Sequence, residues 1–453
     1  MQLLDPLFGW QDIDRIFSDH NRVQRMLDFE AGLARAEARA GIIPSAAVEP
    51  IVAKCRADLL DFQALSKASA QAGNLAIPLV KQLTILIANT DHDGARYVHW
   101  GATSQDVIDT GLVLQLREAL KLILAELTRL CETLAQLADG YRATPAVART
   151  WMQHAIPTLL GLKFAGWLDA LNRHLTRLRT LQHEIAILQF GGAAGTLAAL
   201  DERGLEVASY LAQDLDLKLP EMPWHTHRDR IAEVATTLAL FAGTLGKIGR
   251  DLSLLSQTEI AEIFEPAATG RGGSSTMPQK RNPVAAAVAL AAATRVPALT
   301  SVMLSAMVQE HERALGGWQA EWDTLPEIIR LTAGALHHVT ETIDGLEIDA
   351  EQMSRNLDKT PGLMFAEAVM ITLAKRLGRS EAHKLVQEAS KQSLSEKKHL
   401  RDVLKEHPNV RSYLSADEID RIFEPLSYTG IASTLIDRAI AAYRLNSKRP
   451  EGS

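Results

Sequence analysis

Cysteine is nearly absent. Cys55 and Cys131 are the only two in 453 residues, and no CxxC pair exists. Two thiols cannot build a disulfide framework, so both are expected as core thiols in a reducing compartment. Aromatic residues make up only 5% and runs of β-branched residues are few, so strand signals are scarce. A cationic surplus is lacking as well. The formal net charge is −7, which leaves nothing to neutralise a phosphate backbone and argues against nucleic-acid binding as the main task. An anionic small molecule would need a local cluster of cations. Long hydrophobic runs are also missing. Residues 1–10 offer neither a basic start nor an apolar core, and the small-apolar stretch 284–293 falls short of the roughly 20 residues that cross a bilayer. A cytoplasmic protein with no membrane partner is expected. What is present, 47% apolar and 23% charged residues, describes a folded chain with a large core.

Helix signals fill the space that strands leave. After Ser18 or Asp19 as N-cap, an amphipathic stretch runs to Gly41, with Pro44 beyond. Leu116, Leu120, Ile123, Leu127, Leu130, Leu134 and Leu137 alternate spacings of four and three, and so do Val234, Leu238, Phe241, Leu245, Ile248, Leu252 and Leu255. Each run is a heptad-type seam on a helix of roughly 35–50 Å. Helices of that length pack side by side. Gly243, Gly246 and Gly249 in the second seam predict the close approach of a neighbouring backbone. A third helix is expected from Pro283, N-capped by Asn282 and lined with alanine. Such helices seldom bury all their apolar surface alone, so a homo-oligomer is expected. The reading is all-α, with an N-terminal helical domain (1–110), a central long-helix bundle (111–357) and a small C-terminal helical domain (358–453).

Two polar, glycine-rich interruptions break the helices, at 190–196 and 266–282. The second contains AATGRGGSSTMPQKRN and ends at a helix N-terminus, where free N–H groups favour an anion. It reads equally as a lid over a carboxylate or phosphate and as a plain connector. It is not a Walker loop. The stretch GSSTMPQKRNP at 273–283 tips that balance, because it resembles the GSSxMPxKxNP signature of the fumarase/aspartase superfamily. HWGATSQDVIDT at 99–110 and RTWMQHAIP at 149–157 resemble its two other substrate-binding stretches, and His92-Asp93 and His311-Glu312-Arg313 resemble further elements of its adenylosuccinate-lyase branch. The resemblance implies the three-domain helical fold, a homotetramer whose sites draw on three subunits, and neither metal nor cofactor. It implies addition or elimination next to a carboxylate, with Ser274 as the acid–base group beside Ser275. Lys280 and Asn282 would hold a carboxylate, and Thr103, Ser104 and Gln153 would add hydrogen bonds.

Departures from the pattern select a branch. Adenylosuccinate and argininosuccinate lyases resemble this chain but carry a Thr-His pair where Thr150-Trp151 stands, and that His assists the departing amine. His154 lies three residues later, about one helical turn away if the stretch is helical. A leaving group that needs no proton, such as a carboxylate, fits this loss. Together with PWHT at 223–226, His227 ahead of Arg228-Asp229-Arg230 and Gly316-Gly317-Trp318, it resembles the carboxymuconate-cycloisomerase branch, which closes a lactone on a tricarboxylate. His154 or His99 remains an alternative to Ser274 as proton donor. The candidate cations are Lys280, Arg281, Arg313, Arg228, His92, His99 and His225. His225-Thr226-His227 lacks a third metal ligand nearby. An adenylosuccinate-lyase-like C–N lyase that releases fumarate is the second reading, and a helical oligomer without activity the third.

Overall fold

A computed structural model describes residues 3–267, 272–273, 276–277 and 280–448. Seven helices carry the argument: α1 (Asp19–Arg39), α2 (Ser104–Gly140), α3 (Leu160–Ile185), α4 (Asp229–Leu255), α5 (Val284–Ala306), α6 (Gly317–Asp344) and α7 (Ala432–Ser447). The named strands among the described residues form two short antiparallel pairs, β1 (Pro145–Thr150) with β2 (Gln153–Leu159) and β3 (Ile263–Phe264) with β4 (Glu347–Ile348). The all-α reading holds.

Both heptad seams are core. From Leu116 to Leu134 and from Val234 to Leu255, every seam residue is at most 4% exposed, and Leu137 packs at the margin. Each such side chain contributes about 1.5–3 kcal/mol of burial free energy, so α2 and α4 are held by their seams against α3, α5, α6 and α7. A second core gathers Met26, Phe29 and Leu33 of α1 with Leu79, Leu83 and Ile87. It also receives Leu188, Phe190, Leu200 and Leu211 from the segment that follows α3. A third core, around Phe365, Val369, Leu373, Leu400 and Leu404, takes Val147 from β1. The chain then returns to the bundle, where α7 lays Ile436, Ile440 and Tyr443 on the first core.

The expected caps are partly right. Ser18 Oγ accepts from Asn21 N at 3.3 Å to start α1. The alanine-rich helix begins one residue later than its sequence suggests, with Pro283 at the cap position. Asn282 does not cap it. Instead, the carboxylate of Glu265 accepts from Ala285 N and Ala286 N at 3.1 and 2.9 Å. That helix end already has its anion, and the expectation of an open anion site there is corrected. Of the three glycines in α4, two are contact points. A Cβ on Gly246 would stand 2.4 Å from Ala293 Cβ, and one on Gly249 3.0 Å from Ala289 Cβ, whereas Gly243 faces open space on this chain.

By length and composition, α4 and α5 are apolar enough to cross a membrane, which corrects the reading of 284–293 as an isolated short run. In this fold α4 is the seam helix of the bundle. Only 33% of the apolar window of α5 is buried, so a face of small apolar residues remains uncovered on one chain.

Strand and helix directions give the bundle two ends. At one end α2, α4 and α6 begin and α5 finishes. At the other α2, α4 and α6 finish and α5 begins. With 27 residues in α4, the ends lie about 40 Å apart.

Candidate functional site

The first end is organised by two buried carboxylates of α2. Asp106, three residues past the Thr103 cap, is 0% exposed and accepts five hydrogen bonds. The donors are Thr103 N, Gly191 N, Gly192 N, Gln189 Nε2 and the Nε2 of His225. It thereby ties the start of α2 to the 187–193 segment and to the 223–228 turn. Gly192 has φ 68°, and a Cβ there would meet Gly101 O at 2.9 Å, so the glycine-rich sequence is what lets these backbones converge. One turn later, Asp109 accepts from Arg228 at 2.7 Å, Trp318 Nε1 at 3.0 Å and Gln105 Nε2 at 3.1 Å. Arg228 is closed on its other side by Glu321 at 3.0 Å.

This network reduces the list of cations. Arg228 is 2% exposed and shared by two carboxylates, and His225 is 4% exposed and bound to Asp106. Both are structural, and neither remains a candidate substrate ligand. Arg281 is paired with Glu347 at 2.8 Å. Arg313 differs from these. Its guanidinium meets neutral acceptors, Gln105 Oε1 at 3.2 Å and Ala193 O at 3.1 Å, and no carboxylate pairs with it among the described residues. An arginine with unspent charge beside a polar helix start is able to receive an anion.

Thr103 and Ser104 are half-buried at the same helix start. His99 stands just before them with φ 59°, and its Nδ1 is 2.6 Å from Glu30 Oε1. Burial lowers the affinity of this ring for a second proton, but the charge and hydrogen bond of Glu30, with Asp106 behind, outweigh it, and the His99 pKa rises. His92 is exposed, beyond the 3-10 turn Gly94–Tyr97, with no partner among the described residues.

The second end holds the other motifs. The 149–157 stretch is a hairpin, not a helix, so the one-turn relation between Trp151 and His154 is replaced by a cross-strand one. Arg149 faces His154, and Thr150 faces Gln153. The two tip residues, Trp151 and Met152, both have positive φ (51° and 64°), as a two-residue hairpin loop requires. They present 96% and 72% of their surface to solvent, with Gln153 exposed beside them. Arg149 is anchored bidentately on Glu262, at 2.6 and 3.1 Å, and Asn356 supports the same carboxylate at 2.7 Å. Burial, and then the charge of Arg149, push the His154 pKa down. The loop before α5 is drawn together where Asn282 N donates to Gly272 O at 2.8 Å. Gly272 has φ 65°, and a Cβ there would meet Asn282 O at 2.6 Å. Lys280 is exposed, without an ion pair among the described residues, and Asn282 is half-buried. Ser274 and Ser275 lie outside the described residues.

One chain therefore brings His99, Thr103, Ser104 and Arg313 to one end of the bundle and Gln153, His154, Lys280 and Asn282 to the other. The supporting carboxylates, Glu30, Asp106, Asp109, Glu262 and Glu265, went unrecognised in the sequence. Only Asp106 and Asp109 fall inside a quoted motif. Among the described residues no group of three or more His, Cys, Asp or Glu side chains is arranged to hold a metal ion.

Residues 11–298 match the family model described as lyase, and 362–439 match that of the adenylosuccinate lyase C-terminus. The 3-carboxy-cis,cis-muconate cycloisomerase of Pseudomonas aeruginosa is 55% identical, over 98% of this chain and 96% of its own length. The enzyme of that name from Acinetobacter baylyi is 47% identical, over 97% and 98%. The crystal structure of 3-carboxy-cis,cis-muconate lactonizing enzyme from Pseudomonas putida matches with a TM-score of 0.95 at 52% identity, covering 99% of this chain and all of that one.

Proposed function

From a chain that belongs to the lyase family of the fumarase/aspartase superfamily, we infer a cycloisomerase that converts 3-carboxy-cis,cis-muconate to 4-carboxymuconolactone. The observation that carries it is the hairpin tip. Where an amine-releasing lyase keeps a proton donor, Trp151 stands, beside relatives that share about half their sequence with this chain and are named for that lactonisation. A substrate carboxylate adds to the ring-forming carbon, and a proton is delivered to the neighbouring carbon α to a second carboxylate. Negative charge builds on that second carboxylate in the transition state and must meet donors already in place. The nucleophile is already anionic at neutral pH, so no acid is needed for a departing group.

In this reading Ser274 handles the proton, with His154 or His99 as the alternative donor. Lys280, Asn282, Ser275, Thr103, Ser104, Gln153, His92 and Arg313 bind the three carboxylates. Of these, Thr103, Ser104 and Arg313 stand at one end of the bundle and Gln153, Lys280 and Asn282 at the other, about 40 Å apart on one chain, far more than a small tricarboxylate spans, so we read the site as assembled from several subunits of a homotetramer. The uncovered apolar face of α5 supports that association. The division at residues 110 and 357 gives an N-terminal, a central and a C-terminal unit, with the motif groups in the first two. A cytoplasmic role in aromatic-acid breakdown through the protocatechuate route fits the substrate.

Two assays on one sample test the function. Carboxymuconate should lose its conjugated-diene absorbance, and adenylosuccinate should yield no fumarate; the reverse result selects the C–N lyase reading. Ser274→Ala should abolish turnover with the oligomer intact, and near-normal rates would remove the serine from the mechanism.

A further inference from the structure

Glu30 lies in the middle of α1, outside every stretch that carries a motif. Its side chain is 1% exposed, and one oxygen is 2.6 Å from His99 Nδ1. The other oxygen is buried without a hydrogen-bond partner among the described residues. A carboxylate in an apolar helix interface is costly unless a partner offsets its desolvation, and His99 is that partner. Glu37, seven residues on along the same helix, is also 0% exposed with both oxygens unpartnered among the described residues. Two ionised carboxylates so buried would repel, and among the described residues the ionisable partner stands at Glu30. On the histidine, the two ring nitrogens differ. Nδ1 is held by Glu30. Nε2 has no partner among the described residues and is not among the buried orphaned atoms, so it retains some exposure to solvent.

We propose that Glu30 is a positioning residue for the reaction: by accepting from Nδ1–H it orients His99 and keeps it cationic, so that Nε2–H is presented to a substrate carboxylate beside Thr103, Ser104 and Arg313. A neutral imidazole free to flip would offer Nε2–H only part of the time. The anchored imidazolium offers a charge-assisted donor that needs no reorganisation on binding. The raised His99 pKa agrees with this. The proposal rests on the reading that His99 faces the substrate, and it adds a residue whose only link to the reaction is through that ring.

A double-mutant cycle in the full oligomer tests it. Glu30→Gln keeps the shape and removes the charge. It should raise KM for carboxymuconate roughly tenfold to a hundredfold with kcat changed much less, the pattern of lost carboxylate binding. His99→Asn should do the same, and the double variant should be no worse than His99→Asn alone. Losses that multiply in the double variant, or a normal KM in Glu30→Gln beside an impaired His99→Asn, overturn the proposal alone. An unaltered KM in His99→Asn overturns both the proposal and the placement of His99 at the substrate. A readout on the unmutated protein is independent of variant folding. The Nδ1–H proton of 15N-labelled His99 should resonate far downfield and shift when the lactone product is added. Its absence, or its indifference to the lactone, counts against the proposal.

Discussion

A carboxylate sealed inside a helix interface is either paired or neutral, and α1 carries one of each. Burial first, and then the charge of Glu30, push the Glu37 pKa up to about 9, so the folded protein keeps a proton there that the unfolded chain releases in the ordinary carboxylate range. Folding stability is therefore full below that range and falls as pH rises toward 9. Glu37→Met should remove the penalty. We expect a gain of about 5 kcal/mol at pH 8 that shrinks toward zero near pH 4.5, read by denaturant unfolding at fixed protein concentration. Parallel stability losses in both proteins between pH 5 and 8 would show that Glu37 is not the group responsible. Neither this residue nor Glu30 could be singled out from the sequence. A spacing of seven puts both on the apolar face of α1, but whether a partner waits opposite depends on His99, which lies 69 positions away.

At the scale of elements, the legible parts were those fixed by local periodicity. The α2 and α4 seams could be read because a spacing of four and three leaves one choice of buried face. The hairpin could not be read, because a two-residue turn of this type normally advertises itself with Asn-Gly and here uses Trp151-Met152. The start of α5 was misread for a related reason. Asn282 is a good cap by type, but Glu265, distant in sequence from the helix start, reaches the amides first. The glycines of α4 give a test of the packing. Gly246→Ala should destabilise by about 1–3 kcal/mol, since a methyl must displace Ala293 or bend the backbone, against the small helix-propensity gain alanine brings elsewhere. Thermal unfolding reads the difference. Gly243→Ala, open on one chain, should stabilise a monomer by up to about 1 kcal/mol. A loss there as well would locate a partner helix on that face.

The whole molecule poses the question of how groups at opposite ends of a bundle serve one substrate. The motifs gave the residues and the seams gave the helix lengths, but the end of the bundle at which each motif sits follows only from how α2, α4, α5 and α6 pack. If the site is shared between subunits, defects at the two ends must complement. Arg313→Met disables one end and Lys280→Met the other, and each homo-oligomer should be nearly inactive. After reversible dissociation and mixing in equal amounts, half the chains supply a sound first end and half a sound second end. Roughly a quarter of the composite sites then regain both, with activity to match. Tagging one variant and isolating the mixed oligomer confirms that subunits have exchanged. Recovery on mixing cannot arise if each site is built from a single chain, since every chain then carries one lesion. A mixed oligomer as inactive as its parents would mean that the two ends do not meet across subunits, and the composite site would have to be abandoned.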